Sequence, residues 1–198
     1  VRNYFNAFPS FFLSYKPDST NQNQFFLSYG KRINRPAYDQ LNPFLMVVQK
    51  YNQESGNPFL SPEFTNNIQL THVFKDKLTT NVYYSFMSNT SSPVIKAIND
   101  VYIKRPENVG SVIITGLMLS YNQDISKWCN ADFTVNPEQV HLQSEFNGIT
   151  VDTAVVMQSF NWYNRFSLSK TWSADLAFDW GGRNYSNQVT SFGIAGIR

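Results

Sequence analysis

The sequence predicts an all-β protein, an antiparallel transmembrane β-barrel segment of about nine long strands. Three observations lead there. Apolar and polar residues alternate over runs of about ten residues, the signature of a strand with one apolar and one polar side. Aromatics reach 16% while charged residues are only 15%, and aromatic side chains pack well on a pleated surface. The connections alternate along the chain between short turns and long loops, as they do in outer-membrane barrels.

The expected strands are 5–15, 24–34, 64–75, 78–91, 109–123, 126–138, 151–168, 171–183 and 189–198. In "QFFLSYGKR", Phe25, Leu27 and Tyr29 share one side, and Gln24, Ser28, Gly30 and Arg32 the other. "EFTNNIQLTHVF" sets Phe64, Ile68, Leu70 and Phe74 against Thr65, Asn67, Gln69 and Thr71. "WSADLAFDWGGR" sets Trp172, Ala174, Leu176, Phe178 and Trp180 against Ser173, Asp175, Ala177, Asp179 and Arg183. No stretch carries a helical stripe. Short turns are expected at 16–23, at Asp76–Lys77, at 124–125 and near 169–170. Long loops are expected at 35–63, 92–108, 139–150 and 184–188.

Composition excludes several functions. The net charge is +2 and the basic residues are dispersed, so no nucleic-acid partner is indicated. Cys129 is the one cysteine; it reads as a small apolar strand residue, and no disulfide or thiolate cluster is available within the chain. His72 and His141 lie apart, without metal-ligand spacing. His72 reads as a packed or interfacial histidine. Phosphate-binding, dinucleotide-binding and nucleophile-elbow glycine patterns are absent. Asp175 and Asp179 share a side, but about 13 Å separates their Cα atoms, too far for a glycosidase pair. The sequence therefore predicts a non-enzyme without metal or cofactor.

No apolar run approaches the length of a membrane helix, and "VRNYFNAF" lacks the pattern of a signal peptide. A barrel strand needs only every second residue apolar. Trp172 and Trp180 then stand about 20 Å apart along the membrane normal, a spacing that suits the aromatic girdles of an apolar band. The opposite side, with Asn67, Gln69, Asn81, Asp175, Asp179 and Arg183, is expected to line a lumen.

The long segment 35–63 breaks the alternation. Pro36 ends a strand because it cannot donate to a ladder. Asn42-Pro43, Asn57-Pro58 and Ser61-Pro62 are turn-forming pairs, and Gly56 is expected to supply a left-handed turn residue. "SYGKRINRPAYDQLNPF" followed by "GNPFLSPEFTNNIQL" resembles the signature of the outer-membrane β-barrel family of Bacteroidetes, allied to TonB-dependent receptors. The matching residues are Arg35, Pro36, Leu41, Asn42, Pro43, Gly56, Asn57, Pro58, Leu60, Pro62 and Glu63. "NVGSVIITGLMLSY" resembles a later strand of that family, with Asn108, Val109 and Gly116 in place.

The resemblance implies a receptor or transporter in the bacterial outer membrane, with cargo arriving from outside. It implies a barrel of about twenty-two strands and a plug, so residues 1–198 are expected to be one partial barrel domain without its plug. Expected partners are outer-membrane lipid, the remaining strands and plug, a TonB-type energy-coupling protein and a surface lipoprotein. Arg35, Tyr38, Phe44, Tyr51 and Phe59 in the loop, with Asp175, Asp179 and Arg183 in the lumen, are the candidate ligand contacts. For the loop rings Tyr38, Phe44, Tyr51 and Phe59, packing against the barrel is the favoured reading and stacking on a ligand the other. Two other functions stay open at this point: a soluble β-sandwich that binds carbohydrate, and a non-transporting structural or adhesive surface barrel. A sandwich hides its apolar sides between two sheets; a barrel exposes them.

Overall fold

A computed structural model describes residues 7–18, 22–98, 100–146, 149–169, 171–182 and 190–193. Eleven strands form one sheet: β1 (Ser10–Tyr15), β2 (Asn23–Asn34), β3 (Met46–Gln49), β4 (Asn52–Glu54), β5 (Glu63–Phe74), β6 (Leu78–Ile98), β7 (Val101–Ser126), β8 (Cys129–Phe146), β9 (Ile149–Ser167), β10 (Ser173–Gly181) and β11 (Thr190–Gly193). Nine run in the order β1-β2-β5-β6-β7-β8-β9-β10-β11, each antiparallel to its neighbours. Consecutive up-and-down pairing needs only hairpin connections. The small strands β3 and β4 belong to the segment between β2 and β5, which also holds a one-turn helix, α1 (Tyr38–Leu41).

Register carries the alternation across the sheet. One row on the apolar side runs Tyr15, Phe25, His72, Thr80, Leu119, Val135, Phe160 and Trp180. The next runs Leu13, Leu27, Leu70, Val82 and Leu117. On the other side a row runs Gln24, Val73, Thr79, Ser120, Thr134, Asn161 and Asp179. Asp175 lies on that same polar side, opposite Arg165 and through it Asn130.

The described residues form no sandwich. They lie in one sheet, and few of their apolar side chains are buried, among them Leu60, Pro62, Cys129 and Ala131. Leu13, Ile68, Leu70 and Val82 remain 45–52% exposed. A continuous face of aliphatic and aromatic side chains left open in this way is costly in water and suited to lipid. His72 fits it as expected: its ring stacks on Phe25 at 4.5 Å, and Nε2 lies 3.1 Å from Asn23 Oδ1.

Three strands, β6, β7 and β8, are longer than the alternation predicts, and two of the expected loops are not loops. Segment 92–108 is the far part of the β6–β7 hairpin, and 139–150 lies almost wholly in β8 and β9. In the first, register shifts between Ser88 and Ser91, with Asn89 in the left-handed region (φ 55°), rephase the strand without ending it. In the second, the strands continue while their polarity reverses. Ala131, Phe133 and Val135 give way on the same side to Gln139, His141 and Gln143; Asn136 and Glu138 give way on the other to Val140 and Leu142. The β8–β9 register runs unbroken from Cys129–Phe166 to Phe146–Ile149, so no bulge produces the reversal. The surroundings change instead.

The short turns are at one end of the sheet. Lys75 and Asp76 both take left-handed φ (53° and 54°), and Lys77 N–H donates to the Phe74 carbonyl at 3.0 Å. This is the mirror-image turn that matches strand twist. The β7–β8 turn falls at Lys127–Trp128, not at 124–125. Arg183 and most of the final expected strand lie outside the described residues.

Candidate functional site

At the opposite end the long segment is fastened to the β6–β7 hairpin. β4 lies parallel to the hairpin, with Asn52, Gln53 and Glu54 beside Tyr102, Ile103 and Lys104. Glu54 accepts an ion pair from Lys104 at 3.0 Å. Below it the signature residues form a clasp. Asn108 Oδ1 accepts the Ser61 N–H at 2.8 Å, while its Nδ2 donates to the Ser61 carbonyl at 3.0 Å and to the Asn89 carbonyl at 2.7 Å. Asn57, 6% exposed, donates through Nδ2 to the Pro106 carbonyl at 3.1 Å, and its Oδ1 accepts Phe59 N–H at 3.0 Å. Leu60 is buried beside it.

Gly56 corrects an expectation. It is not left-handed. A Cβ there would stand 2.5–2.6 Å from the backbone of Asn42 and Gln40, because Gly56 N–H donates to the Asn42 carbonyl at 2.7 Å and Asn57 N–H to the Gln40 carbonyl at 2.6 Å. Glycine is required here for close approach, not for its φ. Glu63, at the start of β5, accepts Ser91 N–H at 2.6 Å and Ser91 Oγ–H at 2.8 Å, with Asn34 Nδ2 at 3.0 Å. Backbone fastening thus accounts for Asn42, Gly56, Asn57 and Glu63 of the signature.

Further out, Glu107 binds Lys96 at 3.1 Å and Arg105 at 2.9 Å. Partial burial pushes its carboxyl up, but hydrogen bonds and charge from Lys96 and Arg105 outweigh that and hold it below the ordinary value.

The candidate ligand contacts do not form one site. Arg35 and Tyr38 line a cavity of about 430 Å³ with Pro36, Leu41, Pro58, Leu60 and Pro62. Phe44 lines another, about 320 Å³, with Met46, Glu54, Lys104, Pro93 and Pro106. Tyr51 and Phe59 border neither. The rings are not packed against the strands: Tyr38 is 93%, Phe44 80% and Phe59 74% exposed, so packing does not account for them in this segment. Asp175 and Asp179 stand far along the sheet in β10. Asp175 pairs with Arg165 at 3.3 Å, and Asp179 accepts from Asn161 Nδ2.

Sequence reasoning missed a group on the polar side. Tyr83 Oη lies 2.8 Å from Glu138 Oε2 and 3.1 Å from Asn136 Oδ1. Its ring lies over Gly116, where a Cβ would stand 2.3 Å from Cζ. The signal was a glycine directly across the register from a tyrosine. Among the described residues no three His, Cys, Asp or Glu side chains are grouped to hold a metal ion.

One open sheet, an apolar side without a cover and a polar side opposite it define a wall segment of a membrane β-barrel. The model of the outer membrane protein beta-barrel family matches residues 1–197, and the chain belongs to that family. Its place is therefore the outer membrane.

Three solved structures of two receptors share the fold. The siderophore receptor PirA from Pseudomonas aeruginosa superposes with a TM-score of 0.71 at 14% identity, over 89% of this chain and 34% of that one. A mutant of the ferric enterobactin receptor PfeA from Pseudomonas aeruginosa, in complex with enterobactin, gives 0.53 at 14%, over 88% and 35%. The same receptor in complex with BCV-L6 gives 0.54 at 14%, over 88% and 35%. The chain thus spans about a third of the length of these receptors. No curated protein matches it in sequence.

Proposed function

We propose that this segment is part of the barrel of a TonB-dependent-type receptor of Bacteroidetes that takes up a cargo from outside the cell. The single observation that carries the reading is the division of the sheet. One side is fit for lipid, the other polar, and the long segment is clasped to the hairpin at one end. In this reading that end faces the medium, and the polar side with Asp175 and Asp179 faces the lumen. The clasped segment forms a fixed outer wall. Phe44, Tyr51 and Phe59 offer rings to cargo, since exposed aromatics supply contact area at low entropic cost. A plug, further strands, a TonB-type coupling protein and a surface lipoprotein complete the assembly.

The test is uptake by cells carrying the intact protein, with and without a protonophore. Energy-dependent uptake that falls in a Phe44→Ala, Phe59→Ala double variant supports the reading. Cargo binding that persists while no energised uptake is found supports a non-transporting surface barrel.

A further inference from the structure

We infer that Lys31 and Arg35 form a binding site for a phosphate-bearing headgroup of the outer-leaflet lipid. The inference rests on the proposed orientation, with the long segment outward.

Lys31 is on the apolar side. It follows Phe25, Leu27 and Tyr29 in the alternation of β2, pairs across the register with Asn66, and its Nζ lies 5.5 Å from the Phe64 ring centroid. A cation on the lipid side of a strand requires a reason. Its height supplies one. Phe25 adjoins the short-turn end of β2, and Arg35 follows ten positions later. That is about 33 Å along the strand, or about 25 Å along the normal at roughly 40° tilt, the height of a barrel's apolar band. Arg35 therefore lies at the outer boundary and Lys31 about 10 Å below it along the normal, with its Nζ carried toward that boundary over Phe64, the partner of Ile33.

Neither cation has a carboxylate within ion-pair distance among the described residues. Glu63, the nearest acid in sequence on β5, is already held by Ser91 and Asn34. Arg35 opens onto a cavity whose other walls are prolines, leucines and the Tyr38 ring. Positive charge beside apolar walls complements the junction between a phosphorylated headgroup and its acyl chains. Asp152 and Glu145, acids on the same side, belong to β9 and β8, separated from β2 by β5, β6 and β7.

The experiment uses the intact protein in detergent with diphosphorylated lipid A, dephosphorylated lipid A and inorganic phosphate as probes, read by native mass spectrometry. Two interfacial cations predict a preference for the phosphorylated lipid of about thirtyfold. The Lys31→Ala, Arg35→Ala double variant is expected to reduce it below about threefold. Arg32→Ala, on the polar side of the same strand, is expected to leave it unchanged, and heat-modifiable migration on gels checks that each variant folds. Equal binding of both lipids by the parent protein would overturn the inference, as would equal loss in Arg32→Ala. Displacement by inorganic phosphate at matched concentration would also overturn it, marking a free-anion site. If the lipid preference holds but the orientation is wrong, the cysteine labelling described at the end of the Discussion detects that separately.

Discussion

Asn108 of the β6–β7 hairpin binds both backbone groups of Ser61 in the long segment, accepting at 2.8 Å and donating at 3.0 Å. A side-chain amide that reads a peptide twice fixes position and direction at once. Asn108→Ala is expected to loosen the segment without unfolding the strands. Losing these half-buried bonds costs about 1–3 kcal/mol, so protease cleavage after Lys50 should rise about tenfold or more. Timed trypsin digestion of the intact protein measures it; an unchanged rate would show that β4 alone holds the segment.

Gly56→Ala tests the same fastening from the backbone. Its Cβ would meet Asn42 and Gln40 at 2.5–2.6 Å. Backbone cannot yield as a flexible side chain does, so the expected cost is about 1–3 kcal/mol or more. The folded fraction by heat-modifiable migration should fall, and Lys50 cleavage should rise as in Asn108→Ala.

These residues also show what the sequence made legible. The strands and their two faces follow from alternation, because a period of two survives any twist of the sheet; a barrel wall in place of a sandwich rested on the alternating short and long connections and on the family resemblance. The clasp does not. Asn57, Gly56 and Asn108 read locally as turn formers, and only the approach of the hairpin shows that Asn57 and Asn108 bind distant carbonyls. The extended strands were misread for a related reason. Beyond Glu138 the alternation continues in opposite phase, and the reversal resembles a loop when each strand is assumed to keep one environment. The loop rings could be named from the sequence, but their separation into two cavities and exposed rims could not.

Glu107 gives the hairpin a pH dependence. Its folded value lies below the ordinary 4.5, so it contributes stability that is fully present above the unfolded value. That contribution is lost as pH falls through the folded value. Amide exchange of 94–107, corrected for intrinsic rates, should show constant protection well above the ordinary value of 4.5 and a decline as the pH falls below it. Glu107→Gln should flatten the profile. A decline of equal size in that variant would assign the effect to another group.

Tyr83 and Gly116 form a matched pair on the polar side. Gly116→Ala must displace the ring, since its Cβ would stand 2.3 Å from Tyr83 Cζ, and should release Glu138 and Asn136. Tyr83→Phe keeps the ring and removes the hydroxyl. The alanine variant is expected to lose about 1–3 kcal/mol of stability and the phenylalanine variant about 1 kcal/mol, compared by denaturant unfolding in lipid vesicles. Equal effects would mean that the hydroxyl, not the ring's seat over glycine, dominates.

The central claim is that the clasped segment lies outside the cell and the short turns inside the envelope. Single cysteines placed by Phe59→Cys and Asp76→Cys, in a Cys129→Ala background, test it with a membrane-impermeant maleimide on intact cells. The structure predicts labelling of position 59 on intact cells and of position 76 only after the outer membrane is permeabilised. Labelling of position 76 on intact cells with position 59 protected would contradict it, as would recovery of both in a soluble fraction.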